Sequence, residues 1–366
     1  MWRVFQILFV LLWAGLLLVP VGLTLSGLTL VKPVDENRRK VAYPESPTKL
    51  SVAATFLWSK DFIRWFEDNF GGRDALIRLK NQIDFSVFEK SDRIHIGRDG
   101  FLFYRSLLDQ RIPDMERVSA ATQKARLNSL EKLGQELFNH GVTLIVMPIP
   151  LKFTVYPELL PNSAPRLPAD RAFDRFRRGL KQCPHVVTFD VLPRLLAIKD
   201  HVQLFNRTDF HWSEPAARRI GDELLAEIGR MSGMPNFKSD WPADFAPRKF
   251  SGGQAMFMPL FIPPSETAYF PAKEPPYPSE GKDSPFDWAV RNTETSRQLL
   301  PPTVFIGDSF IWALHNSGFT TQFTEFYFSH ILKDDSKKLY KQLPAGTRYL
   351  VLALLEQNYL VDYDPL

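Results

Sequence analysis

Residues 2–31 are an almost unbroken apolar run, interrupted by Arg3, Gln6 and a few small or hydroxylic side chains. Drawn as a helix at ~1.5 Å per residue, the run is longer than the ~30 Å hydrocarbon core of a bilayer. It predicts an uncleaved transmembrane anchor over residues 1–31, kinked or tilted at Pro20. Arg3 on one flank and Lys32, Arg38, Arg39 and Lys40 on the other leave its orientation open. Residues 32–54, with Pro33, Pro44 and Pro47 among charges, predict a linker. Phe62, Ile63, Trp65 and Phe66 then recur at helical spacing up to Gly71-Gly72, and residues 74–88 predict a second amphipathic helix. Their aromatic face suits either a lipid surface or a packed interface, and packing against the main domain is the expectation. Residues 93–104 alternate around Asp99-Gly100, which predicts a tight hairpin.

A strand–helix alternation follows. Residues 115–140 predict a long helix with Val118, Leu127, Leu130, Leu133 and Leu137 on its apolar side, closed by Gly141. Residues 142–147 are a fully apolar strand, 169–179 a basic helix and 185–191 the next strand. Ser213 and Pro215 open a helix over 214–229 in the manner of an N-cap followed by a first-turn proline. Residues 231–300 are rich in Pro, Gly and Ser, and predict an insertion of loops and short strands. Strands at 302–306 and 348–355, with a helix or two between them, complete the pattern. Alternation of this kind predicts an α/β fold over residues 55–366: a parallel sheet with helices on both faces.

The 366 residues suffice for a sizeable core, and 45% hydrophobic with 23% charged residues excludes general disorder. A net charge of +4, with Lys and Arg scattered among acids, gives no stripe for nucleic acid. The one cysteine, Cys183, excludes an internal disulfide and a cysteine-based metal site; no metal or other cofactor is expected.

The candidate chemistry lies where two strands end. After the apolar run Thr303-Val304-Phe305-Ile306 comes Gly307-Asp308-Ser309-Phe310, a turn that lifts a hydroxyl above the carboxyl end of a sheet, where α/β folds bind ligands. Read locally, Asp308 and Ser309 only turn the chain and cap a helix. About a hundred residues upstream stands Asp209-Phe210-His211-Trp212, also after a predicted strand. Acyl transfer needs a nucleophile, a base and an acid to orient the base. Ser309, His211 and Asp209 are the residues of those types, Asp209 reaching His211 if the loop is extended.

These two segments resemble the SGNH hydrolase-like domain of the alginate O-acetyltransferases and related exopolysaccharide-acetylating proteins. In that family the Asp-x-His-Trp motif precedes Gly-Asp-Ser, a circular permutation of the ordinary SGNH esterase order. The likeness extends to Trp65-Phe66-Glu67-Asp68 with Arg73, to residues 97–104, to the Pro148–Pro157 segment with Lys152 and Tyr156, and to Glu356 after the last strand. Phe101 stands where the family usually has Trp. The resemblance implies Ser309 as nucleophile, His211 as base and Asp209 as its orienting acid. Lys152, Tyr156 and Glu356 either line the substrate site or serve as a structural ion pair or strand-end cap, and Trp212 either walls the site or packs. The resemblance also implies transfer of acetyl through an acyl-serine to hydroxyls of an exported polysaccharide. The catalytic domain would lie in the periplasm or outside the cell, anchored in the inner membrane beside a membrane-bound O-acyltransferase that relays the acetyl group. An acetylesterase of the same superfamily, and a non-catalytic docking protein for such an acyltransferase, are the alternatives.

Overall fold

The computed structural model describes residues 2–36, 38–47, 51–241, 244–275, 280–283, 285–292, 296–332 and 340–360. Parts of the predicted linker (37 and 48–50) and of the predicted insertion (242–243, 276–279, 284 and 293–295) lie outside them, as do residues 333–339 and 361–366. The chain forms two compact units, residues 1–91 with 258–263, and residues 92–257 with 264–366.

The first unit contains α1 (Trp2–Ser26), α2 (Val52–Asn69) and α3 (Arg73–Phe88). Helix α1 is long and apolar enough to cross a membrane, and none of its residues is buried. Ser51 caps α2 by accepting the Ala54 N–H, and Gly72, at φ +87°, makes the turn into α3. The Pro-rich segment before α2 is tied down rather than free. Arg38 donates both terminal nitrogens to Asp68 at 2.7 and 2.6 Å, and the Val41 N–H donates to the same carboxylate at 3.0 Å.

The second unit opens with the hairpin β1 (Ile94–Ile96) and β2 (Leu102–Tyr104), followed by α4 (Ile112–Glu116) and α5 (Ala120–Asn139). Next come β3 (Thr143–Ile149), α6 (Lys152–Val155), α7 (Ala172–Leu180), β4 (Val186–Thr188), α8 (Val191–Ile198) and α9 (Glu214–Met231). The stretch read as an insertion supplies β5 (Phe245–Phe250), α10 (Gly253–Met256), β6 (Glu266–Pro271), β7 (Glu280–Asp283) and β8 (Phe286–Arg291). The unit closes with β9 (Thr303–Gly307), α11 (Ile311–Asn316), β10 (Glu325–His330) and β11 (Tyr349–Leu355).

Seven described strands share one sheet in the order β4-β3-β11-β9-β10-β8-β7. The five from β4 to β10 are parallel, and every residue of β9 and β11 is buried. Since side chains alternate between the faces of a strand, burial of every position means that both faces of the sheet are covered. The predicted parallel sheet holds for these five strands, but the whole sheet is mixed, because β8 runs antiparallel to both β10 and β7. That strand comes from the Pro-rich stretch, where the chain returns to the sheet edge instead of looping away. Strands β5 and β6 form a separate two-stranded hairpin.

Candidate active site

Ser309 sits two residues beyond the end of β9, in the turn that leads into α11. The Asp308 side chain shapes that turn by accepting the Phe310 N–H at 3.1 Å, while the Ser309 main-chain carbonyl accepts the Trp312 N–H. The local turn role therefore falls to Asp308, and the Ser309 hydroxyl is directed elsewhere. Its Oγ lies 2.8 Å from Nε2 of His211.

His211 belongs to the loop between α8 and α9. Ser213 ends this loop as the N-cap of α9, accepting the Ala216 N–H at 3.2 Å and donating its hydroxyl to the Gln203 carbonyl. Behind His211, Nδ1 lies 2.7 Å from Oδ1 of Asp209, and the His211 main-chain N–H donates to the same oxygen at 2.8 Å. The other carboxylate oxygen accepts the Gly253 N–H at 2.6 Å. Burial alone would raise the Asp209 pKa, but the hydrogen bonds from His211 and Gly253 outweigh it and hold it at about 2. An ionised carboxylate can only accept, so Nδ1 carries the imidazole proton and Nε2 is left to take the proton of the serine hydroxyl. Gly252 is needed for this approach. A Cβ there would stand 2.4 Å from Cβ of Asp209.

Trp212 joins the two motif segments. Its indole Nε1–H donates to the Phe310 carbonyl at 3.0 Å, and the Phe310 ring packs against His211, Trp212 and Phe210 at centroid distances of 5.1, 5.4 and 5.5 Å. One buried hydrogen bond and an aromatic cluster thus fix the serine turn against the histidine loop.

The other candidate substrate contacts are placed differently. Lys152 is fully buried, and its Nζ donates toward the carbonyls of Asn206 (3.0 Å), Arg207 (3.1 Å) and Asp209 (2.6 Å) and to Oε1 of Gln254 (2.6 Å). Burial pushes its ammonium down to about 7, against the opposing pull of Asp209 and Glu266. Tyr156 accepts the Leu204 N–H on its hydroxyl at 2.8 Å. Glu356 is buried against Arg171 and accepts from the Leu151 N–H (2.8 Å) and the Thr154 hydroxyl (2.7 Å). These three side chains are spent on the protein's own polar groups and do not reach the pocket that His211 and Ser309 line. Lys152 and Tyr156 hold the histidine loop from beneath, and Glu356 secures the end of β11 to the segment after β3.

That pocket has a volume of about 180 Å³, and Asp209, Trp212 and Phe310 line it with His211 and Ser309. Several further lining residues have no motif to announce them. Asn206 supplies a carboxamide, and Phe250, Phe270 and Trp312 supply aromatic rings. Glu214, in the first turn of α9, is buried and accepts from Asn316 at 3.1 Å. Burial pushes its pKa up to about 7, with Asn316, Ser317 and His211 acting in the opposite direction. Among the described residues no group of three or more His, Cys, Asp or Glu side chains converges as a metal site would.

Comparison with known proteins bears out the resemblance. Residues 94–255 match the model of the SGNH hydrolase-like domain of the acetyltransferase AlgX, a stretch that includes Asp209 and His211 and stops before Ser309. A protein named probable alginate O-acetylase AlgJ, from Pseudomonas aeruginosa, is 29% identical over 148 residues, covering 40% of this chain and 36% of its own length. Its namesake from Pseudomonas syringae pv. tomato is 25% identical over 208 residues, 56% of this chain and 51% of that protein. The matches thus span about a third to a half of these relatives. The solved structure of Bacillus cereus PatB1 with a sulfonyl adduct superimposes with a TM-score of 0.50 at 13% identity, over 68% of this chain and 92% of that one. At that identity the likeness is one of fold: the chain has the SGNH-like α/β architecture.

Proposed function

We propose that this chain, whose residues 94–255 match an acetyltransferase domain, is a membrane-anchored O-acetyltransferase acting on a polysaccharide outside the cytoplasm. The observation that carries the reading is the line from Asp209 through His211 to Ser309, with contacts of 2.7 and 2.8 Å. In the first half-reaction Ser309 Oγ attacks the acetyl carbonyl as its proton passes to Nε2 of His211. The tetrahedral oxyanion is held by the Ser309 main-chain N–H and the Asn206 carboxamide. Collapse breaks the bond to the donor's leaving group, which takes the proton from Nε2 and leaves acetyl-Ser309. In the second half a sugar hydroxyl attacks the acetyl-serine and gives its proton to Nε2. Ser309 Oγ recovers that proton when the acetyl group departs on the sugar.

Asp209, held ionised, keeps the imidazole in one tautomer and steadies the imidazolium of each step. The pocket rim supports a saccharide acceptor. Trp312 lies three residues beyond Ser309, is half exposed, and stacks on Trp288 at 5.7 Å, so a flat ring stands beside the nucleophile. Helix α1 supports a membrane anchor. In this reading the anchor lies in the inner membrane, the catalytic unit faces the periplasm, and a membrane-bound O-acyltransferase supplies the acetyl groups. The test is incubation of the detergent-solubilised chain with an activated acetyl ester and acidic or neutral oligosaccharides. Acetylated oligosaccharide, absent with Ser309→Ala, is expected. Free acetate alone, whatever the acceptor, would make the protein an esterase, and no turnover at all would leave a docking protein.

A further inference from the structure

Helix α1 is 25 residues long, about 37 Å at ~1.5 Å per residue, against a hydrocarbon core of ~30 Å. Its last turn is held by the α2–α3 turn. The Gly71 N–H donates to Thr24 Oγ1 at 2.7 Å, and Thr24 in turn donates to the Pro20 carbonyl. The approach is so close that a Cβ on Gly71 would lie 2.2 Å from Cβ of Leu23. If α1 spans a bilayer, the α2–α3 turn is therefore fixed at the level where α1 leaves the hydrocarbon.

From that turn α3 carries a continuous apolar stripe on its outer side. Leu76, Leu79, Ile83 and Val87 follow one another at three- and four-residue spacing and remain 53, 48, 45 and 67% exposed. Helical geometry places the four within about a quarter of the circumference. On α2, Val52, Phe56 and Ile63 are likewise exposed on one side, and the Lys60 ammonium sits 4.6 Å above the Phe56 ring. Charged pairs rim these surfaces: Lys60 on α2 with Arg64 3.9 Å from Asp61, Lys80 on the flank of the α3 stripe 2.8 Å from Asp84, and Glu89-Lys90 just beyond it. An aliphatic stripe edged by long charged side chains is the pattern of a helix lying in the headgroup region, its apolar side sunk ~5–10 Å and its lysines reaching outward.

We propose that α2 and α3 lie on the membrane surface as an interfacial hairpin, with the Leu76–Leu79–Ile83–Val87 stripe embedded in the lipid headgroup region. This inference rests on α1 being a membrane anchor. The hairpin then prevents the chain from swinging freely about the end of α1 and adds a second attachment. Loss of a single apolar anchor would leave the interfacial contact in place.

The test uses the full chain with Cys183→Ser, reconstituted in nanodiscs of phosphatidylethanolamine and phosphatidylglycerol. An environment-sensitive fluorophore is placed in turn at Ile83→Cys, Val87→Cys, Asp61→Cys and Leu25→Cys, and spin-labelled lipids serve as quenchers. Labels at 83, 87 and 25 are expected to lose fluorescence to shallow quenchers, while the label at 61 does not. A label at 25 that is quenched while those at 83 and 87 behave like that at 61 would overturn the hairpin proposal alone. Shielding of 83 and 87 that requires a co-purified membrane protein would overturn it in favour of a protein partner. An unquenched label at 25 would remove the anchor reading, and the inference would fall with it.

Discussion

The Lys152 ammonium lies 2.6 Å from the main-chain carbonyl of Asp209, so the residue whose carboxylate meets Nδ1 of His211 is held by its backbone as well. Four oxygens, from Asn206, Arg207, Asp209 and Gln254, surround this one buried cation. Replacing Lys152 with Met keeps most of the volume and leaves these acceptors unpaired, at roughly 1–3 kcal/mol for a buried group so abandoned. Because the burial that pushes the Lys152 pKa down to about 7 is relieved at the same time, the informative readout is activity: we expect Lys152→Met to lose turnover at temperatures where it is still folded. Wild-type turnover in that variant would show that the loop does not depend on this contact.

The carboxylate of Asp209 has its own pH signature. Its folded pKa, about 2, lies below the ordinary 3.8, so it contributes stability that is present above pH ~4 and lost as pH falls through ~2. The size is about 2 kcal/mol, from 1.36 kcal/mol per unit. Asp209→Asn should be less stable than wild type at pH 7, with the gap closing toward pH 2, as read by denaturant midpoints. It should also lose on the order of 10³–10⁴ in turnover, because the amide can no longer fix the imidazole tautomer. An unchanged turnover would exclude Asp209 from the catalytic line.

Glu214 is shifted the other way. Its folded pKa of about 7 exceeds the ordinary 4.5, so the native state keeps a proton that the unfolded chain has released between those values. Stability therefore falls as pH rises through that window. The uncharged Glu214→Gln should be more stable than wild type at pH 8 by about 2–3 kcal/mol and equal to it at pH 4. A constant difference across pH would mean that Glu214 titrates in the folded chain as it does in the unfolded one.

Trp312 tests the acceptor side. Its indole is exposed at the pocket rim and supported by Trp288, so its loss should weaken saccharide binding more than acyl-serine formation. For Trp312→Ala we expect KM for an oligosaccharide acceptor to rise about tenfold, the value of ~1.4 kcal/mol. The rate of Ser309 acylation by a small activated ester should fall less. Equal losses in both would place the ring at the reacting centre instead.

Much of this was legible in the chain. Strands β3, β9 and β11 are continuous apolar runs, and a strand buried on both faces must be written that way. Asp209, His211 and Ser309 were legible because their chemistry and loop positions are distinctive, and the structure brings all three within hydrogen-bond reach. The place of β8 in the main sheet was not, because Phe286–Arg291 lies within a Pro-rich stretch and pairs with residues more than thirty positions onward. For Lys152 and Glu356 the sequence leaves substrate contact and a structural ion pair or cap equally open, because a buried, fully partnered charge has the same letter as an exposed one. Only the fold shows four oxygens around the first and Arg171 against the second. Gly253, which donates its backbone N–H to Asp209, could not be found from side-chain chemistry at all. Glu214 was visible only as a first-turn residue of α9, and its pocket position depends on α11 packing nearby.

In the proposed reaction Ser309 carries the acetyl group. The most direct measurement is the intact mass of the full chain in detergent after brief mixing with an activated acetyl ester, with wild type and Ser309→Ala compared. A gain of one acetyl group on wild type is expected, mapped to the Ser309 peptide, discharged on adding an oligosaccharide and absent from the variant. An equal gain in both proteins, or none in wild type while ester is consumed, would contradict it.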